Sequence, residues 1–148
     1  MDGNHVDRRL LQALAEFRYQ LRGFLRFSKQ AAYQVDLHPQ QHQLLLQVAG
    51  APEGALASIA YAAGRLGLRH NSVVELENRS VTEGLFIRTP DPQDRRRVLL
   101  EITLKGWRIL KNLSQNHARE LRELGLLLVR SLRRIERADR AQIRRRTR

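Results

Sequence analysis

The sequence of 148 residues contains no cysteine, and this absence excludes several classes of function at the outset. Without thiols there are no disulfides, no zinc sites with thiolate ligands and no cysteine-based redox switch. Aromatic residues make up only 5% of the chain, so leucine, valine, isoleucine and alanine have to form most of the core. No apolar run approaches the length of a membrane-spanning helix.

Acidic residues are scarce relative to basic ones. Lysine and arginine number 27 against 15 acids, which gives a formal net charge of +12. Such an excess favours an acidic partner, with nucleic acid ahead of a membrane surface. A highly charged solvated surface is the alternative, and charge alone does not exclude it. The first residues, MDGNHVDRRL, contain no apolar segment, so we expect a cytoplasmic protein without a secretory signal or membrane contact.

No arrangement of residues indicates catalysis. The sequence has no glycine-rich phosphate loop and no nucleophile beside a marked base, so we expect no enzyme activity, no catalytic residue and no cofactor. His38 and His42 have a spacing that metals can use, but no acidic cluster completes a metal site, and two exposed histidines are the favoured interpretation. Trp107, Phe27 and Tyr33 are candidates for lining a ligand pocket, with packing in the core as the default.

The first part of the chain predicts two helices. From Asp7 to about Gln34 the apolar residues alternate steps of four and three, the spacing of a helix that packs lengthwise on another helix. This favours a dimerisation helix over 7–34, with a long core helix of a monomer as the alternative. Pro39 fits the first turn of the next helix, and Gly50 fits its end.

Residues 39–103 predict a winged helix-turn-helix. The segment ALASIAYAAGRLGL predicts a short helix with Ser58 as its N-cap and Gly67 as its break, and RHNSVVELENRSVTEG predicts a second helix ending near Gly84. The segments LFIRT and RRRVLLEIT then read as strands around the turn PDPQD. Two helices around a glycine turn are a weak signal alone, but the hairpin that follows them makes the prediction much more specific.

The last part of the chain predicts further helices. Thr103 is the expected N-cap of a long helix, Gly125 is expected to interrupt it, and LLLVRSLRRI continues as another helix. We therefore assign 104–136 to dimerisation together with 7–34, in one mostly α-helical domain with a small β-hairpin wing. Half of residues 137–148 are arginine, which predicts a basic tail that adds non-specific affinity for nucleic acid.

These segments together resemble the MarR family of bacterial transcriptional regulators, from the first helix to about Ile135. The likeness is sharpest in SIAYAAGRLGLRHNSVVELENRS, EGLFIR and DPQDRRRVLLEITLKG. The wing of the family typically reads Asp-Pro-x-Asp-Arg-Arg, followed by a strand and Leu-Thr-x-x-Gly. The matching residues are Asp91, Pro92, Asp94, Arg95, Arg96, Thr103 and Gly106, with Ile102 where leucine is usual. The chain departs from the family at Glu77 and Ser80, where relatives often carry apolar residues.

The resemblance implies an obligate homodimer whose first and last helices form the interface, and in which each subunit presents one winged helix to double-stranded DNA. It implies a ligand-responsive regulator, with repression favoured, that binds a pseudo-palindromic operator. In many relatives a small, often aromatic, ligand between the dimer region and the DNA-binding region releases the DNA. The alternative is a non-specific nucleic-acid-binding or architectural protein. The two differ in the ratio of the affinity for a specific site to the affinity for random DNA, rather than in affinity alone.

The expected DNA contacts lie first on the second helix of the helix-turn-helix. A helix from about His70 to Glu83 is expected to enter the major groove with its N-terminal residues at the base edges. The candidates are Arg69, His70, Asn71, Ser72, Glu75 and Arg79. For Arg69 and Ser72 the alternative is phosphate contact or helix capping, and for Glu75 it is the orientation of an arginine.

The wing supplies the second set of candidates. Arginine is the residue type attracted to a narrow and strongly negative minor groove. Strand alternation would send Arg95 and Arg97 to one face and Arg96 to the other. By the resemblance, Arg95 and Arg96 contact the groove and the phosphates, and Asp94 holds an arginine in place. A solvated turn with an internal salt bridge is the alternative.

Overall fold

The computed structural model describes residues 7–147, except for the side chains of residues 145 and 146. Within this part the chain forms five helices and two strands. They are α1 (Arg8–Gln34), α2 (Pro39–Ala49), α3 (Ile59–Leu66), α4 (His70–Thr82), β1 (Phe86–Pro90), β2 (Val98–Ile102) and α5 (Leu104–Arg146). The predicted fold class, mostly α-helical with a β-hairpin wing, is confirmed. Among residues 7–147, no helix combines the length and the apolar character needed to cross a membrane.

The chain divides into two compact units. The winged-helix unit contains Gln30–Gln115, and the helical unit contains the described residues up to Lys29 together with those from Asn116 onward. Both α1 and α5 therefore contribute residues to each unit.

The core of the winged-helix unit takes buried residues from every helix and from both strands. Leu44 and Leu45 of α2 are fully buried, and Phe86 of β1 is 1% exposed. Val73 and Leu76 of α4 lie three residues apart, so both side chains project from one face of the helix into this core. Burial of this apolar surface is the main stabilising contribution to the unit.

Two histidines at the start of α2 have different structural roles. His38 is the N-cap: its Nδ1 accepts a hydrogen bond from Gln40 N at 3.2 Å, and its own N–H donates to Gln41 Oε1 at 3.0 Å. His42 is only 2% exposed. The expectation of two exposed histidines is wrong for both: His38 is partly buried at the N-cap, and His42 lies on the face of α2 that carries Leu45.

The hairpin is antiparallel, with Phe86 opposite Ile102 and Pro90 opposite Val98. A short segment before α3 extends it, because Leu100 N donates to Ala57 O at 3.0 Å. The predicted strand-turn-strand is confirmed, but the second strand begins three residues later than the sequence indicated, at Val98 rather than at Arg95.

The start of α5 is fixed against the end of α4. Thr103 Oγ1 accepts from Gly106 N at 3.1 Å, which confirms this residue as the N-cap, and it donates to Gly84 O at 2.6 Å. The helix then continues through Gly125 to Arg146, so the expected interruption is wrong. One glycine costs about 1 kcal/mol relative to alanine, which flanking helix formers such as leucine, glutamate and arginine offset.

In the helical unit, small residues of both α1 and α5 are buried, and the two helices meet at the ring of His117. Ala13 and Ser28 of α1 and Ser131 and Ala138 of α5 are each less than 9% exposed. His117 Nε2 lies 2.8 Å from Ser28 Oγ, and the ring of Phe27 meets that of His117 edge to face. Many larger apolar side chains of the unit remain exposed, among them Leu11, Leu14, Leu25, Leu126, Val129 and Leu132.

Gly106 provides a direct test of the close approach of α5 to the hairpin. A Cβ atom added there would lie 2.6 Å from Leu85 O and 2.7 Å from Ile102 Cγ2. Because Leu85 O belongs to the backbone, the helix itself has to move. We expect Gly106→Ala to lower the free energy of unfolding by about 1–3 kcal/mol, as overpacking does.

Gly64 of α3 supplies the matched control. Within the described residues nothing lies within 4 Å of a Cβ added there. Gly64→Ala should leave the free energy of unfolding unchanged or raise it by up to about 1 kcal/mol, because alanine is the better helix former. Urea denaturation followed by circular dichroism measures both variants. Equal stability of the two would contradict the packing argument.

Candidate nucleic-acid interface

The turn between α3 and α4 depends on one glycine. Ser58 begins α3, since its Oγ accepts from Tyr61 N at 3.2 Å. Gly67 ends the helix at a φ of 64°, a left-handed conformation that glycine adopts without the steric penalty of a side chain. Leu68 N then donates to Ala63 O at 3.1 Å, and α4 begins two residues later. The predicted cap and the predicted break are both confirmed.

α4 has one buried and one exposed face. The buried side chains are those of Val73, Leu76, Glu77 and Ser80. Ser80 Oγ donates to Leu76 O at 2.7 Å, so this polar group is satisfied within the core. The exposed residues include all six candidates from the sequence, namely Arg69, His70, Asn71, Ser72, Glu75 and Arg79. The structure therefore brings these six together on the solvent side of one helix and its N-cap.

The N-terminus of α4 has no side-chain cap within the part of the chain that the structure describes. Arg69 occupies the N-cap position with φ −69° and ψ 150°, and its side chain makes no capping hydrogen bond. The alternative that Arg69 caps the helix is therefore wrong. The first amide groups of a helix lack partners inside the helix, and with the positive end of the helix dipole they favour an anion such as phosphate.

Glu77 is an acidic residue buried beneath this surface. Its side chain is 1% exposed, and within residues 7–147 its Oε1 accepts no hydrogen bond. Burial raises the pKa of the Glu77 carboxyl, and Coulomb attraction to Arg88 and to the protonated form of His70 opposes this shift. The carboxyl group at this position is thus costly to ionise, and attraction to Arg88 first and to His70 second is what favours its charged form.

The tip of the wing is an ordered loop rather than a continuation of the strands. Asp91 N donates to Arg97 O at 3.0 Å and closes the loop, and Arg97 N donates to Asp94 O at 2.9 Å, which defines a β-turn. Asp94 Oδ1 also accepts from Arg96 N at 3.0 Å. Arg95 and Arg96 are the two central residues of this turn, so the strand alternation assigned to the triple arginine is wrong.

The three arginines of the tip have unequal roles. Arg97 Nε lies 3.6 Å from the buried Asp91 Oδ2, and Arg97 Nη2 lies 3.7 Å from Asp94 Oδ2. These are ion pairs beyond hydrogen-bonding distance. The arginine that Asp94 accompanies is therefore Arg97. Across residues 7–147 no ion pair or hydrogen bond involves the guanidinium of Arg95 or Arg96, and both residues are exposed.

Two further residues of this surface were not identified from the sequence. Arg88 Nη2 on β1 donates a hydrogen bond to Asn78 Oδ1 on α4, and both residues are exposed. Asn78 follows Glu75 by three residues and Asn71 by seven, so it lies on the same face of the helix as these candidates. The spacing of three and seven residues was therefore the signal in the sequence from which Asn78 could have been predicted.

The other sequence candidates lie outside this surface. Trp107 is 49% exposed and Tyr33 is 50% exposed, so packing in the core was the wrong default for both rings. Phe27 is partly buried and packs on His117. The described residues contain no group of three or more histidine or acidic side chains that could hold a metal ion.

The fold is similar to that of several solved transcriptional regulators. MepR of Staphylococcus aureus, a regulator of the multidrug efflux pump MepA, matches with a TM-score of 0.65 at 17% identity, over 89% of this chain and 96% of MepR. A mutant MarR from E. coli complexed with operator DNA matches with a TM-score of 0.61 at 22% identity, over 72% and 75% of the two chains.

CouR from Rhodococcus jostii RHA1, bound to p-coumaroyl-CoA, matches with a TM-score of 0.57 at 24% identity, over 66% of this chain and 67% of CouR. No protein-family model and no curated protein sequence matches the chain. At these identities the likeness shows the fold, which is that of the MarR-family winged-helix regulators, and the resemblance found in the sequence is confirmed at that level.

The raised pKa of Glu77 leads to a pH-dependent stability. The folded protein holds this proton to a higher pH than the unfolded chain does, so the stabilisation is complete below the unfolded pKa and is lost as the pH rises through the folded value. We therefore expect wild type to lose stability relative to the Glu77→Gln variant as the pH rises from below the ordinary pKa of a glutamate through neutral to alkaline values. Glutamine cannot ionise, so the comparison removes the contribution of other titrating groups.

Urea denaturation of both proteins at matched ionic strength across this pH range measures the difference in free energy of unfolding. A buried amide has a desolvation penalty of its own, but that penalty does not change with pH. A difference that stays constant from the acidic to the alkaline end would show that the folded pKa of Glu77 is not raised.

Proposed function

We propose that this protein is a dimeric, sequence-specific DNA-binding transcriptional regulator, with repression as the favoured consequence of binding. The observation that carries the proposal is the surface of the winged-helix unit. On it, α4 exposes an uncapped N-terminus, and the wing exposes Arg95 and Arg96 from a fixed turn. The operator-bound MarR neighbour supports the same use of this fold.

In this proposal α4 occupies the major groove, whose base edges carry the sequence information. Asn71 can donate and accept at adenine, and Glu75 can accept from the amino group of cytosine. Ser72 and the exposed backbone amides at the start of the helix suit phosphate oxygens. Arg79 lies on the exposed face two turns further along, where its charge suits the DNA backbone.

The wing is proposed to reach the minor groove. Its turn is held by the hydrogen bonds from Arg96 N and Arg97 N to Asp94 and by the ion pairs of Arg97. Little backbone entropy therefore has to be lost when Arg95 and Arg96 bind, because their turn is already ordered. A narrow groove attracts such side chains by its negative potential rather than by base-specific hydrogen bonds.

Dimerisation is proposed to use 7–34 and 104–136. The helical unit leaves much apolar surface exposed on α1 and α5, including Leu14 at 40% and Leu126 at 63%. Two packed helices offer no further layer that could cover this surface, and a second copy related by two-fold symmetry would do so. A two-fold dimer in turn requires a pseudo-palindromic operator with half-sites about one helical turn apart.

A response to a small ligand is a separate part of the proposal. The CouR neighbour is bound to p-coumaroyl-CoA. In this chain the half-exposed rings of Trp107 and Tyr33 offer flat apolar surfaces that suit an aromatic ligand. Calorimetric titration of the protein with p-coumaroyl-CoA and with simple aromatic acids tests this part by itself.

A non-specific nucleic-acid-binding protein is the second candidate function. It is favoured by the last turns of α5, where exposed arginines follow one another closely; these are Arg133, Arg134, Arg137, Arg140 and Arg144. In that case affinity follows net charge and falls steeply with salt, and specific and random DNA bind alike. These arginines include part of the predicted basic tail at 137–148. Most of that tail belongs to α5, which ends at Arg146, and Arg148 lies outside the described residues.

The first test concerns the wing. A duplex selected by the wild-type protein from a random pool serves as the operator. Arg95→Ala and Arg96→Ala should each weaken binding to it by about 1–3 kcal/mol, the range for a well-placed DNA-contacting arginine. Asp94→Ala should weaken binding less, because it loosens the turn without removing a contact. The loss should be larger with A·T-rich flanks, where the groove is narrow.

The control for this test is Arg140→Ala, which removes the same charge from the exposed surface of α5. Affinities are measured at matched salt, on the selected duplex and on random DNA. Equal losses in the wing variants and in the control, on both duplexes, would favour the non-specific function. Wild-type affinity in both wing variants would exclude the wing from DNA binding.

The second test concerns the dimer. Leu14→Asp places a charge within the proposed interface, so we expect this variant to sediment as a monomer at micromolar concentration while wild type sediments as a dimer. Leu56→Asp is the control, because Leu56 is exposed to a similar degree, 38% against 40%, but lies outside both proposed interface segments. A folded wild-type monomer, or a dimeric Leu14→Asp variant, would contradict the assignment.

A further inference from the structure

The hydrogen bond from Arg88 to Asn78 constrains what the exposed face of α4 can recognise. The two residues are ten positions apart, and the contact joins the first strand of the wing to α4. Only the amide oxygen of asparagine can accept from a guanidinium. The side-chain amide of Asn78 is therefore oriented, with its oxygen towards Arg88 and its NH₂ group available on the exposed face.

The guanidinium of Arg88 is also attracted by the buried side chain of Glu77 when that side chain is ionised. The buried carboxyl of Glu77 precedes Asn78 in the sequence, and Arg88 is the largest of the influences that favour its ionised form. Attraction between these two charges acts in both directions, so an ionised Glu77 favours the position of the Arg88 guanidinium. The Arg88 guanidinium is thus hydrogen-bonded to the exposed amide of Asn78 and attracted by the charge of an ionised Glu77.

The chemistry of the bases makes this orientation selective. An unconstrained asparagine reads adenine with two hydrogen bonds: its NH₂ donates to N7, and its oxygen accepts from the N6 amino group. At Asn78 the guanidinium of Arg88 already takes one of the two acceptor positions of the oxygen and adds a positive charge beside the other. The N6 amino group of adenine would meet that charge with its own positive hydrogen atoms. Guanine instead offers two adjacent acceptors, N7 and O6, to an NH₂ group.

We infer that Asn78 is a specificity-determining residue of the major-groove surface that selects guanine over adenine, and that Arg88 is the residue that positions it. This inference rests on the proposed function, since it requires α4 to lie in the major groove. It goes beyond that proposal by assigning one base to one side chain and by giving a wing residue a role in base selection without contact with the base.

The experiment is a base-preference profile. Wild type selects its preferred duplex from a pool with a random central segment, and affinities are then measured for every single-base variant of that duplex. We expect one base pair in each half-site at which guanine exceeds adenine by about 5-fold or more, the lower end of what a good side-chain contact contributes. Asn78→Ala should abolish the preference at that pair and leave the other positions unchanged.

The Arg88 variants test positioning. Arg88→Ala frees the amide oxygen, so the preference at the same base pair should shift from guanine towards adenine. Arg88→Lys, which keeps a cationic donor, should retain guanine. The double variant Asn78→Ala/Arg88→Ala should match Asn78→Ala alone, because Arg88 acts through Asn78. A purely structural role of Arg88 would change affinity without changing which base is preferred.

The inference is overturned if Asn78→Ala leaves the profile intact, if Arg88→Ala lowers affinity equally at all positions, or if Arg88→Ala still favours guanine. Asn78 is exposed, so its alanine variant keeps the test valid even where an Arg88 variant folds poorly. Wild type that selects no duplex would overturn the proposed function and this inference together. A selected duplex with unchanged variant profiles would overturn this inference alone.

Discussion

The close approach of α5 to the turn between α4 and β1 is the constraint on which the winged-helix unit depends. At this point Thr103 donates to Gly84 O, and Thr103 N donates to Leu85 O at 3.1 Å. Lys105 Nζ donates to Glu83 O at 2.7 Å. The absence of a side chain at Gly106 allows the backbones to meet. One turn of α5 thereby fixes both the end of the proposed recognition helix and the root of the wing.

Local signals in the sequence were sufficient for most of the fold. Ser58, Gly67 and Thr103 act through their own backbone geometry, so their positions could be predicted without knowledge of distant contacts. Gly125 did not interrupt α5 as predicted. A single glycine weakens a helix only modestly, so the helix propensity of the neighbouring residues decides the outcome. The predicted start of the second strand was wrong because Asp91 and Asp94 draw the backbone of the arginines into a turn, which strand propensity does not anticipate.

The residues of the candidate site that the helical period places on one face of α4 could be predicted from the sequence. The residues that depend on contacts between different elements could not. The five candidates within α4 lie on its exposed side because the apolar positions Val73 and Leu76 fix which side is buried. The burial of Glu77 could not be read from its type, because an acidic residue is normally assigned to the surface. The contact between Asn78 and Arg88 joins two elements, so no single-segment pattern contains it.

The acidic residues of the wing have a consequence for the electrostatic field around the protein. The tip contains three consecutive arginines, but Asp91 and Asp94 offset two of their charges. The net charge of the tip is therefore a single positive charge. Beyond a Debye length of about 10 Å at 0.1 M salt such a tip attracts DNA only weakly. Long-range attraction must then come from the rest of the charge of +12. The wing would contribute late in the encounter, at contact distance, where its ordered turn sets the orientation of binding.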